Sequence, residues 1–107
     1  MVSDSSVPCW VKPMYVISGI ENKHPEKPNR YHEQILGKRC AIECLERMAK
    51  CWLWIEGMRE WESWTHFHTS TVKEIWGEPG VLVFETTNSV YRLTRLDFEL
   101  KIKEKEE

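Results

Sequence analysis

Residues 72–76 and 81–86 are built from Val, Ile, Leu, Phe, Trp and Thr with few breaks, and Gly77-Glu78-Pro79-Gly80 lies between them. β-Branched and aromatic residues suit a pleated, half-buried surface. Glycine and proline supply the backbone angles of a tight turn. A β-hairpin is expected here, and it leaves a chain of this size little choice but a β architecture. Thr87-Asn88-Ser89 reads as a second tight turn leading into a strand at 90–93. Leu96, Phe98, Leu100 and Ile102 alternate with charged residues, as a half-buried strand does. Upstream, residues 10–20 read as a strand, and Pro13, which has no N–H for a ladder, confines its first half to an edge or bulge.

Residues 35–57 admit two descriptions. As strands, Cys40, Ile42 and Cys44 share one face, and Cys51, Leu53 and Ile55 meet them across a turn near 46–49. As a helix, Ala41, Leu45, Met48, Trp52 and Ile55 line one side, with Glu43–Arg47 and Glu46–Lys50 as i,i+4 pairs. The clean alternation at 37–43 favours the hairpin, with one helix around 40–50 as the alternative. Residues 21–34, rich in proline, asparagine and charge, read as one long loop. The expected fold is therefore mainly β: a small barrel or roll of about five to seven antiparallel strands, or α+β if the helix forms. The 107 residues make one domain, with a flexible N-terminus at 1–9 and a charged tail at 103–107.

Charge narrows the function. Fifteen basic residues against seventeen acidic ones give a net charge of -2, and the sequence pI is about 6.1. A generic binder of extended nucleic acid needs a basic field, with a domain pI above about 9. That class is set aside, while a small nucleotide, held by a few local donors, stays open. No stretch approaches the roughly 20 apolar residues that span a bilayer, and the polar, acidic start is unlike a signal peptide. Cytoplasmic residence follows as the expectation, with Cys9, Cys40, Cys44 and Cys51 as free thiols.

Chemistry-bearing motifs are few. His66-x-His68 on a strand would share a face, and with Glu74 and Gly77 it superficially resembles the first half of a cupin metal motif. The histidine-to-glutamate gap is too long, and no later histidine completes the site. Cys40-x-x-x-Cys44 is a single pair where structural zinc usually takes two, so core filling is expected of the cysteines. No nucleophile elbow or phosphate loop occurs. Neither enzyme activity, nor a metal, nor a cofactor is expected.

Two clusters remain. His68, Thr69, Ser70, Thr87, Asn88 and Tyr91 sit at the two ends of the expected hairpin. Pairing Trp76 with Val81 would set Ser70 opposite Thr87, where the group can grip a nucleotide or similar anion. The same residue types also satisfy the backbone at turns. Arg59, Trp61, Trp64 and Phe67 form an aromatic stretch suited to anchoring a protein partner. A core this small holds about three tryptophans, and the chain has six, so at least one exposed aromatic is expected.

The segments 68–72 and 86–91, His-Thr-Ser-Thr-Val and Thr-Thr-Asn-Ser-Val-Tyr, resemble a pattern in small β-proteins of phages and other mobile elements. The resemblance covers roughly a quarter of the chain and carries no catalytic residue. It implies an inhibitor of host defence of the anti-CRISPR kind, acting in the host cytoplasm by blocking a partner protein or sequestering a ligand. A protein partner is the first expectation and a small nucleotide the second, with a homodimer left open by the edge near Pro13 and the C-terminal strand.

Overall fold

The computed structural model describes residues 7–96. Six strands and one helix follow in order: β1 (Tyr15–Asn22), α1 (Arg30–Ile35), β2 (Arg39–Cys44), β3 (Lys50–Glu56), β4 (Trp64–Glu78), β5 (Val81–Thr86) and β6 (Ser89–Arg95). Each strand pairs antiparallel with the next, and β6 returns to β1 to close a barrel. Closure satisfies strand edges that an open sheet would leave bare. The mainly β expectation holds, with six strands. No helix among the described residues is long and apolar enough to cross a membrane.

Alternation decides what fills the barrel. Cys51, Leu53 and Ile55 of β3 and Tyr91 and Leu93 of β6 point inward and meet Ile17, Val72 and Phe84. Phe84 is the largest fully buried side chain. Cys40 and Cys51 are fully buried in this core, Cys44 is half-buried and Cys9 exposed, all as free thiols. Burial pushes the Cys40 and Cys51 thiols up to about 12, so both stay protonated.

The ambiguous stretch is a hairpin, with Cys40 opposite Ile55 and Ile42 opposite Leu53. The helical alternative at 40–50 fails because its i,i+4 pairs are unused. Glu43 bonds Trp54 and His66 across the sheet, and Arg47 reaches Glu74 at 3.6 Å. Met48 takes the turn at a φ of 73°.

The helix lies elsewhere, within what reads as a loop at 21–34. β1 continues to Asn22, only 23–29 are irregular, and α1 begins behind Asn29, whose side chain accepts the Tyr31 N–H at 2.9 Å. It ends before Gly37, whose φ of +85° is the left-handed conformation that stops a helix. The Gly37 N–H then bonds Ile17 O at 2.8 Å. β1 registers with β2 only at Tyr15↔Cys40 and Val16↔Arg39, and Ile35 of α1 is fully buried in the core.

The 72–86 hairpin is tighter than expected. β4 runs through Gly77 and Glu78, so the turn is Pro79-Gly80, and Trp76 faces Val83 rather than Val81. Proline fixes φ at the first turn position, and Gly80 takes a φ of +73° that other residues resist. A bulge between Val72 and Glu74 then shifts the pairing by one, so Ser70 is not placed opposite Thr87. Its Oγ instead receives the Asn88 N–H at 3.4 Å. The strand expected at 96–102 and the tail at 103–107 lie outside the described residues, Leu96 excepted, as do residues 1–6 of the expected N-terminal segment.

Candidate ligand cleft

β4 changes partner along its length. Over 64–71 it registers with β3, and from Val72 onward with β5. Among the described residues no strand pairs with the far edge of 64–71. The opening there is a cleft of about 290 Å³, walled by residues 65–70, by Asn88 and Ser89 of the β5–β6 turn, and by Asn29 and Tyr31 at the start of α1. A second cleft of about 470 Å³ adjoins it, shares Asn29, Tyr31, Asn88 and Ser89, and runs out to His24, Lys27 and Arg30.

The geometry sorts the polar cluster by task. Thr69 is buried at a bulge where β3 slips between Lys50 and Trp52. Its Oγ1 accepts the Cys51 N–H at 3.2 Å and donates to Ser70 O at 2.7 Å, standing in for ladder bonds the bulge removes. Thr86, fully buried, does the same for the turn: its Oγ1 accepts the Asn88 and Ser89 N–H groups and donates to Ser89 O. These hydroxyls hold the cleft's shape. Thr87 is exposed and does not line the cleft.

Ser70, Asn88, Ser89 and Tyr91 do line it. The side-chain carboxamide of Asn88, an exposed residue, has no partner among the described residues. Ser89 Oγ lies 3.1 Å from His32 Nε2. Burial lowers His32 below the ordinary histidine value, so the ring is neutral at pH 7. Tyr91 stacks on Phe84 at 5.1 Å and meets the His32 ring edge-on at 6.0 Å, tying the cleft to the core. Burial raises its phenol, which stays neutral.

The aromatic stretch is divided. Phe67 faces the cleft, edge-on to Tyr31 at 6.2 Å. Arg59 lines the same cleft and reaches over the Trp61 ring at 5.9 Å. Trp61 is 71% exposed, with Trp10 and Trp76 also exposed, so the tryptophan surplus does reach the surface. Trp64 is half-buried and falls by alternation on the other face of β4. His66 and His68 share that outer face. His66 stacks on Trp54 at 4.2 Å and bonds Glu43 at 3.1 Å, while His68 packs on Trp52 at 4.8 Å. Among the described residues no three His, Cys, Asp or Glu side chains gather as a metal site would need.

Asn29 and Tyr31, which line the cleft, and His32, which backs its Ser89 and Tyr91, are the residues that sequence motifs do not point to. Their signal was present: an asparagine cap, a short helical run and a glycine stop, hidden by the prolines before them.

No family model, no curated protein and no solved structure matches the chain.

Proposed function

We propose that the protein binds a small anionic ligand in the paired clefts beneath α1, without transforming it. One observation carries this. In a chain with more acidic than basic residues, neither cleft has a carboxylate among its lining residues, whereas Arg59, Lys27, Arg30 and His24 all line them. Arg59 has Glu62 at 3.8 Å and His24 has Glu26 at 4.0 Å, so the positive excess rests on Lys27 and Arg30, and a cleft lined by one sign of charge concentrates the opposite sign. The cleft volumes also lie near the roughly 300–1,000 Å³ of small-molecule sites.

Binding is favoured over catalysis by the hydrogen bonds around Ser89. Ser89 and His32 are within reach of one another as nucleophile and base. The backbone N–H groups that would stabilise an oxyanion beside Ser89, its own and that of Asn88, already end on hydroxyls.

The test is thermal unfolding of the intact chain against inorganic phosphate, sugar phosphates, dicarboxylates and mono-, di- and cyclic nucleotides. A ligand at a hundred times its Kd adds about 2.7 kcal/mol and raises Tm. That rise should vanish in Tyr31→Ala. A panel without any response overturns the reading. The exposed Trp61, with Arg59 over its ring, favours a second reading: a protein-binding inhibitor of the mobile-element kind, anchored there. In that case Trp61→Ala weakens capture of the partner and leaves the ligand response intact.

A further inference from the structure

The two clefts differ in chemistry while sharing one wall. The inner one has the rings of Phe67, Tyr91 and Tyr31, and its one lysine or arginine, Arg59, lies 3.8 Å from Glu62. The outer one has Lys27, Arg30 and His24 and, apart from Tyr31, no aromatic ring. Asn29 and Asn88 stand on the boundary, lining both. A ligand spanning the pair is flat and partly apolar at one end and anionic at the other.

Resting on the anion-binding reading above, we propose that the ligand is a nucleoside phosphate, its base against Tyr31 and Phe67 and its phosphate over Lys27 and Arg30. Aromatic faces accept any base by stacking. Carboxamides carry both a donor and an acceptor, which matches the edge of a base better than it matches a second anionic group. The Asn88 amide is unengaged among the described residues, and its turn is fixed by Thr86, so it is held ready to read that edge. Lysine and arginine suit a phosphate, and the guanidinium can pair with two of its oxygens.

Arg30 also joins the two ends. Its guanidinium lies 5.3 Å from the centroid of the Tyr31 ring and 3.5 Å from the Tyr31 hydroxyl. A phosphate engaging Arg30 therefore positions the ring on which the base would rest. An extended polynucleotide is disfavoured, because the net charge is -2.

The experiment is calorimetric titration of the intact chain with the four standard ribonucleosides, their 5′-monophosphates and ribose 5-phosphate. At least one nucleotide should bind tenfold or more tighter than both its nucleoside and ribose 5-phosphate. In Lys27→Ala/Arg30→Ala, both changes being at exposed positions, the nucleotide's advantage over its nucleoside, with both measured on that variant, should vanish. If ribose 5-phosphate binds as well as the nucleotides, the base assignment is overturned and the anion cleft stands. If the double variant keeps the nucleotide's advantage, the phosphate seat is overturned. Response to a dicarboxylate or inorganic phosphate alone overturns the nucleotide while sparing the broader reading, and silence from every probe overturns both.

Discussion

Over residues 72–78, β4 pairs with β5 in a hairpin broken only by the bulge between Val72 and Glu74, and Val72 enters the core. Over 64–71 the same strand pairs only with β3, and its other edge looks into a cleft. The first arrangement follows from local sequence, with β-branched and aromatic residues around a proline-glycine turn. The second depends on parts brought from far along the chain: α1, the β5–β6 turn and the bulge at Thr69. One half of the strand carries the hairpin, and the other borders the cleft.

The sharpest way to break that division is to truncate one aromatic on each side. Phe84→Ala, across the hairpin from Ile75, should cost about 3–5 kcal/mol in urea unfolding, because it empties the middle of the core. Phe67→Ala should cost clearly less, since the ring is only partly buried, yet it should remove the ligand response. Equal losses of stability would mean that both halves belong to one core.

Thr86→Val comes next. The valine keeps the shape but leaves the Asn88 and Ser89 N–H groups without their acceptor, so about 1–3 kcal/mol should be lost. Ligand response should weaken with it if the turn shapes the cleft. An unchanged response would show that Asn88 and Ser89 hold their places without it.

A smaller effect concerns acid. Burial holds His32 below the ordinary histidine value, so the unfolded chain takes up the proton first. Stability from this group is present above pH of about 6.5 and declines as pH falls below it. His32→Gln should flatten that part of the stability–pH curve. Smallest of all, Trp61→Ala should stay within about 0.5 kcal/mol of the parent, as surface changes do. A larger loss would show that the rim packs against the barrel.

What the sequence discloses divides along the same line. The 72–86 hairpin and the 39–56 hairpin are legible because alternation and turn chemistry are local. The register was misjudged by two residues because nothing local says whether Gly77 and Glu78 join the strand or the turn. The two polar groups flanking the hairpin do meet at one end of the sheet as expected, but Ser70 meets Asn88 where the sequence suggests Thr87. His32 and Tyr31 were not legible, because their roles arise from contacts with Ser89 and Phe67, 57 positions away in the first case. The Thr69 and Thr86 hydroxyls looked the same in sequence as Ser70. Only the bulge and the turn show that their bonds go to the backbone.

The two thiols sealed inside the barrel give the molecule a built-in gauge of its own opening. Cys40 and Cys51 lie on neighbouring strands, fully enclosed and protonated, so an alkylating reagent can reach them only when the barrel opens. Cys9, at the surface, reports the reagent's intrinsic speed in the same sample. The ratio of the two rates converts directly into the free energy of that opening event. Comparing it with the global unfolding free energy tells whether the barrel unzips at its short β1–β2 seam or gives way all at once.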